Sequence, residues 1–410
     1  MIKTVSLFSQ LLHEFPRLDF QYLIKKHDAE KGAKGFSCWM QFVAMLFCHL
    51  GRADSLREIC NGLSCCTGKL NHLGIESAPK RSTLSYANKH RPAELFQDQF
   101  WYLLDRFRHQ GMLGMRKKVF RFKNKLLSLD STTISLCLSL FPWASFRRAK
   151  GGVKVHVLID HDDYLPSYVL ISEARKHDKF VLRREDFRLN RGSIIVFDRA
   201  YNDYRQFGEW TEAEIFFVTR QKENACYQVV EERLLPTHSR ILSDQIIQLT
   251  GLGSDEKCPS RLRRVVVWDE ENQQEIVLLT NLLHLAASTI AAIYKDRWEI
   301  EIFFKTLKQN LKIKSFVGTS ENALRIQIWT ALIALLLLRW LQHLSHQSWS
   351  FSNLASMLRL NLFTYRNLKE WLLQPFGTSP ESSPKPEIVQ LALDLQIIGQ
   401  PQLVKTLYND

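Results

Sequence analysis

The most constraining feature is an order of elements between residues 126 and 219. Leu126-Leu-Ser-Leu-Asp130 reads as a short strand ending in an aspartate. Val153 to Asp160 reads as a longer strand with partial alternation, His161-Asp162-Asp163 as a turn, and Leu165 to Ile171 as the returning strand of a hairpin. A helix is expected over Lys179 to Leu189. Ser193-Ile-Ile-Val-Phe-Asp198 is then a buried-type strand, again ending in Asp. A second helix from Asn202 to Glu212 and a strand from Ile215 to Thr219 close the series. Three antiparallel strands followed by helical crossovers have few solutions, because connections are short and right-handed. The order predicts a mixed sheet covered by helices.

In the ribonuclease-H-like arrangement of such a series, the first and fourth strands are parallel neighbours, about 4.8 Å apart. Asp130 and Asp198 would then stand together at the carboxyl edge, where α/β sheets place their sites. The flanks differ in character. Residues 1–115 read as helical: Phe36 to Leu50 has helical apolar spacing and stops at Gly51, and Asp54 or Ser55 can cap Leu56 to Leu63. Ser82 can cap a short helix flanked by Lys80, Arg81, Lys89 and Arg91, which suits a helix-turn-helix DNA reader and equally an ordinary bundle. Strand-like runs from Cys226, Ile241, Leu262 and Glu275 predict a β-rich insertion over about 222–285. One long helix is expected from Ser288 to Lys308, followed by an apolar helix ending near Leu344. The divisions expected are 1–115, 120–345 with its insertion, and 346–410. Phe376 to Pro386 reads as a linker before a weak terminal helix.

Charge narrows the partners. The chain has 410 residues, with 55 Lys+Arg against 42 Asp+Glu, a net +13. Such a surplus favours a polyanionic partner, nucleic acid or an anionic membrane. Arg116, Lys117, Lys118, Arg121, Lys123 and Lys125 interleave with Phe120 and Phe122, a pattern suited to phosphate contact or to a solvated face. The eight cysteines hold no C-x-x-C pair, which argues against a zinc knuckle; most are expected as reduced core thiols. The apolar run Ile328 to Leu338 is shorter than a bilayer span and reads as a buried helix. The opening residues lack a secretory h-region. A cytosolic protein is therefore expected.

Three carboxylates stand out: Asp130, Asp198 and Glu301. Tyr294, Arg297, Glu301 and Lys308 follow one another at offsets of 3, 4 and 7, so on one helix they share a face. Ile300, Phe303, Phe304 and Leu307 form the burying face. Clustered carboxylates raise one another's pKa unless a cation relieves them. Mg²⁺, or Mn²⁺ in its place, suits that task, and a pair of ions about 3.5–4 Å apart can serve phosphodiester displacement. Taken alone, a strand-end Asp is often a cap, and an Arg-Glu-Lys ladder is often a surface ion-pair row. The joint pattern is what is specific.

Tyr294-x2-Arg297-x3-Glu301-x6-Lys308 matches without gaps the Tyr-Arg-Glu-Lys signature of the IS-four group of bacterial insertion-sequence transposases. Leu129-Asp130-Ser-Thr-Thr133 and Phe197-Asp198-Arg-Ala-Tyr201 resemble the two Asp motifs of that group. Phe36 to Leu63 and Ser82-Thr-Leu-Ser-Tyr-Ala-Asn88 resemble its N-terminal segments. The resemblance covers roughly residues 5–375. It implies a cut-and-paste DDE transposase with a ribonuclease-H-like catalytic domain, which binds terminal inverted repeats on double-stranded DNA and pairs two ends as a homodimer. It implies metal binding, with two Mg²⁺ per site, by Asp130, Asp198 and Glu301, and DNA contact by Tyr294, Arg297 and Lys308. Trp268, from the insertion, would stack on a flipped base, since an extruded base needs a π-surface. The resemblance implies a bacterial, nucleoid-associated protein that uses no membrane. Two alternatives stay open: a transposon-derived DNA-binding protein without catalysis, and a nuclease of the same fold without strand transfer.

Other acids and bases read differently. His156 alternates with valines on a strand and is expected to face a helix or the DNA groove. Asp160, Asp162 and Asp163 suit a hairpin turn for local reasons. His177 with Asp178 resembles a metal pair only in spacing. Glu299 lies about 200° round the helix from Glu301 and cannot share its site. Glu173 and Asp203 are candidate supports for the site. Arg147, Arg148, Lys150 and Lys154 are candidate phosphate contacts.

Overall fold

The computed structural model describes residues 5–376, apart from 67, 114–118, 148–149, 236, 238–239, 252, 314 and 346–348, and it leaves aside the side chains of 145–150. Its strands are β1 (Leu126–Leu136), β2 (Ser145–Arg147), β3 (Lys150–Asp160), β4 (Leu165–Glu173), β5 (Ile194–Phe197), β6 (Phe216–Arg220), β7 (Tyr227–Glu232), β8 (Ile241–Leu249), β9 (Leu262–Asp269) and β10 (Gln274–Thr280). They form one ten-stranded mixed sheet in the order β2-β3-β1-β5-β6-β10-β9-β8-β7, with β4 also on β3. β1 is antiparallel to β3 and parallel to β5, and β5 is parallel to β6. This is the ribonuclease-H-like mixed sheet expected from the element order.

Period-two alternation divides the central strands between two cores. Leu127, Leu129, Ile195 and Phe197 bury on one face, and Leu126, Ile194 and Val196 on the other. β5 is buried along its whole length, which is why Ile-Ile-Val-Phe reads as a continuous apolar run. The insertion continues the same sheet: β10 pairs antiparallel with β6, and β9, β8 and β7 follow outward.

The helices are α1 (Leu7–Leu12), α2 (Arg17–Lys26), α3 (Cys38–Leu50), α4 (Leu56–Ser64), α5 (Arg81–His90), α6 (Glu94–His109), α7 (Tyr204–Glu212), α8 (Ser254–Lys257), α9 (Ala287–Asp296), α10 (Trp298–Asn310), α11 (Glu321–Leu344), α12 (Phe351–Asn361) and α13 (Leu368–Leu373). Ser55 caps α4 by accepting from the Glu58 amide, and the Glu58 carboxylate accepts from the Asp54 amide just before the cap. α5 starts one residue before the expected cap, at Arg81, with no side-chain cap. α11 is long and apolar enough to cross a membrane, yet 89% of its apolar window is buried inside the protein. It packs against α3, α5, α6 and α12. His49 Nε2 meets Thr330 Oγ1 at 3.0 Å across α3 and α11, and Asn322 donates to the carbonyls of Asn88 and Arg91 at the end of α5. The helices before β1 and α10–α13 after the sheet thus share one apolar cluster, while α9 packs on the sheet.

Three expectations need correction. Residues 179–189 are not an α-helix: Asp178–Arg183 is a 3₁₀ turn, and Arg184 continues extended. Arg184 forks onto Asp186, two residues on, a contact between positions that do not face each other on a helix. The helix expected over 288–308 is two helices, α9 and α10, meeting at Arg297 (φ −52°, ψ −28°). The cysteines are mixed: Cys38, Cys48, Cys60 and Cys258 are buried, while Cys65, Cys137 and Cys226 are exposed. The proposed linker beyond 376 and the terminal helix lie outside the described residues.

Candidate active site

Backbone register brings the two aspartates together. The parallel ladder of β1 and β5 ends with Leu129 opposite Phe197, so Asp130 and Asp198 are the next residues on adjacent strands. β1 carries on past Asp130, paired with β3 as far as Leu136, whereas Asp198 ends β5 and opens a short 3₁₀ turn. Each carboxylate accepts the amide of the following residue at 2.7 Å, Ser131 for Asp130 and Arg199 for Asp198.

The third acid arrives on a helix. Ile300, Phe303, Phe304 and Leu307 are buried, which turns the Arg297–Glu301 side of α10 towards the sheet edge. Arg297 then links the groups: Nη1 donates to Asp130 at 3.1 Å and Nη2 to Glu301 at 2.7 Å. Its guanidinium lies 5.6 Å from the Tyr294 ring centre, and that of Arg220 lies 5.8 Å from the same ring. Buried Arg297 Nε has no hydrogen-bond partner among the described residues. Lys308 Nζ reaches the Thr133 carbonyl at 3.3 Å, further along β1.

Burial, reinforced by the charges of Asp198 and Glu301, pushes the Asp130 carboxyl up to about 6, against the pull of the Ser131 amide and Arg297. Burial likewise raises the Tyr294 phenol. It works against the Arg297 charge, but Tyr294, Asp130 and Glu301 outweigh it and hold that pKa up. All three acids offer hard oxygen donors, which fit a divalent cation. As they lie, no three His, Cys, Asp or Glu side chains among the described residues are gathered closely enough to hold an ion. The guanidinium fills the gap between Asp130 and Glu301.

Trp268 is not brought to this cluster. It lies near the end of β9, opposite Glu275, and β5, β6 and β10 separate its strand from β1. Four strand spacings put it on the order of 19 Å across the sheet. Trp298, immediately after Arg297, is 60% exposed. His156 faces short 3₁₀ helices rather than a groove: it is fully buried, 3.2 Å from the Tyr201 hydroxyl and 3.3 Å from Ser172, and burial pushes its pKa down to about 4. Asp178 is held by Ser131 and Lys154, so Lys154 is not a free phosphate contact. Glu173 pairs with Arg175 and Asp203 with Arg183. Lys125, from the basic run, binds Asp160 at 2.7 Å, and Phe120 stacks on Phe122. Arg116, Lys117, Lys118 and Arg148 lie outside the described residues.

Acidic groups at the carboxyl edge of such a sheet, with basic groups beside them, suit metal-assisted chemistry on phosphodiesters. Residues 121–337 match the transposase DDE domain, and residues 3–76 match a domain of unknown function (DUF4372). A transposase-named protein of Sinorhizobium fredii (y4zB) is 34% identical over 71% of this chain and 80% of its own length. The transposase-named protein of insertion sequence element IS5377 from Geobacillus stearothermophilus is 32% identical over 63% of this chain and 67% of its own. The piggyBac transposase synaptic complex with hairpin DNA aligns with a TM-score of 0.42 and 11% identity, over 92% of this chain and 86% of that one, too distant for a shared fold to be read from it. The chain belongs to the transposase DDE domain family of bacterial insertion sequences, and it is a DNA transposase. Dependence on a divalent metal comes with that domain.

Proposed function

We propose that this transposase works by cut and paste, as the Tyr-Arg-Glu-Lys signature of the IS-four group suggests. It binds the terminal inverted repeats of its element, cleaves there, and joins the freed 3′-hydroxyl to target DNA. Asp130, Asp198 and Glu301 hold Mg²⁺, for which Mn²⁺ substitutes, with two ions per site. When bound, such ions activate the attacking oxygen and offset charge on the leaving one. Arg297, Tyr294 and Lys308 position the DNA end. The observation that carries this reading is the adjacency of Asp130 and Asp198 in the β1–β5 register, with Arg297 joining Asp130 to Glu301.

In this reading residues 1–115 grip DNA outside the cleavage point. Between α4 and α5, Ser55, Arg57, Arg81, Ser82 and Ser85, with Leu56 and Val317, line a cavity of about 510 Å³ whose basic side suits a phosphate. Residues 120–345 perform the chemistry, and 346–410 contribute to a homodimer that pairs two ends. The protein acts in the bacterial cytoplasm, on the nucleoid. The test is strand cleavage and joining on a labelled duplex carrying the terminal repeat, in Mg²⁺ or in EDTA. Mg²⁺-dependent nicking at the repeat boundary, followed by joining to a second duplex, is expected. Binding without cleavage in Mg²⁺ or Mn²⁺ would point to a DNA-binding protein without catalysis. Fragments that never join would point to a nuclease.

A further inference from the structure

The β3–β4 turn, which suits aspartates for local reasons alone, does more than reverse the chain. Asp160 binds Lys125, and Asp163 takes a bidentate contact from Arg108 of α6. Between them, His161 spans two elements of the site. Its Nε2 is 2.7 Å from Ser128 Oγ on β1, and its Nδ1 is 2.6 Å from Asp296 Oδ2 at the end of α9. Tyr164, held at φ +56°, donates its hydroxyl to the same Asp296 oxygen at 3.2 Å. Ser128 is fully buried and the His161 side chain is 7% exposed.

Ser–His–Asp is the atom order of nucleophilic hydrolases. That use is excluded here, because the Ser128 hydroxyl is sealed within the sheet and no acyl substrate reaches it. What the relay does reach is the catalytic frame. Ser128 is two residues before Asp130 on the same face of β1, and Asp296 directly precedes Arg297. At the α9–α10 junction the Arg297 amide bonds back to Tyr294 (3.3 Å) and the Ile300 amide to Arg297 (3.1 Å), i to i+3 contacts of poorer geometry than those of an α-helix. A pin on Asp296 therefore controls where the next residue points its guanidinium.

We propose that His161 is a positioning residue for the reaction: through Asp296 it fixes the α9–α10 junction and so sets where Arg297 stands beside the acids. This rests on the transposase site described above. Misplacement by about 1 Å of a group that orients a reacting centre can cost on the order of a hundredfold in rate.

Single-turnover cleavage of a prebound terminal-repeat duplex, at saturating protein, tests it as a double-mutant cycle. His161→Gln is expected to slow cleavage at least about tenfold, with duplex affinity changed less than about twofold. In an Arg297→Gln background the same change should alter the rate less than about twofold, because the contact it acts through has gone. An equal loss in both backgrounds, or no loss in the wild-type background, overturns the proposal. Hydrogen exchange of the DNA-free protein gives a readout independent of activity. His161→Gln should speed exchange of amides 294–300 at least about fivefold, and Ser128→Ala, which spares the Asp296 contact, should do so less. Unchanged exchange also overturns it. Asp296→Asn replaces His161→Gln if the latter does not fold. If the wild-type protein fails to cleave, the functional reading falls and the exchange experiment still decides the role of His161.

Discussion

The two sides of the acidic site are built by different means. Asp130 and Asp198 are placed by a ladder of backbone hydrogen bonds between buried strands, and neither can move without the sheet. Glu301 is placed by side chains: an apolar stripe under α10, the Arg297 fork, and the Asp296 contact one residue away. A sheet ladder defines position to within a register step, and slipping it by one residue would turn every side chain to the other face. A helix junction held by side chains can adjust. The site thus joins a rigid half to a tunable one.

The largest effect should come from removing the acid on the tunable side. Glu301→Gln is expected to reduce cleavage about a thousandfold or more while terminal-repeat binding stays within about threefold, and EDTA should reproduce that split in the wild-type protein. Lost binding together with retained cleavage of naked DNA would break the assignment of Glu301 altogether.

A smaller effect probes the rigid half through stability. The Asp130 carboxyl is raised from an ordinary 3.8 to about 6, because burial and its acidic neighbours resist the charge. The native state holds this proton more tightly than the unfolded chain. As pH rises from 4 to 6 the group therefore costs stability, fully so above 6, by on the order of 3 kcal/mol. Asp130→Asn removes that cost. Without metal, the variant should resist urea better than wild type at pH 7.5 and no better at pH 3.5. A pH-independent difference would show that the strand edge tolerates the charge after all.

The smallest effect concerns Lys308, which reaches the Thr133 carbonyl. Lys308→Ala should weaken end binding a few-fold and flatten its salt dependence by about one unit. An unchanged slope would mean that Lys308 does not reach a phosphate.

Much of the rigid half was legible because its signals are local. Ile194 to Phe197 is a short apolar run, Val153 to Asp160 and Leu165 to Ile171 form a hairpin pattern, and each was found within a few residues. Asp130 and Asp198 followed from topology. The tunable half was legible as spacing and not as contact: the offsets from Tyr294 to Lys308 located the stripe, but nothing in them indicated a break at Arg297 or a guanidinium joining two acids. His161 escaped for the same reason, because its partners lie 33 and 135 residues away. Residues 179–189 misled because periodicity does not record that Arg184 prefers Asp186, two places on.

The burial of α11 sets a timetable. α3, α5 and α6 lay their apolar faces on a helix that begins roughly two hundred residues after α6 ends. At about 5–20 residues per second of synthesis, that partner follows roughly 10–40 s later. A nascent chain of this protein must carry an unfinished N-terminal third for that interval. Its greasy surfaces are then open to chaperones on the ribosome, and a message truncated before residue 321 would yield a product unable to close its own core.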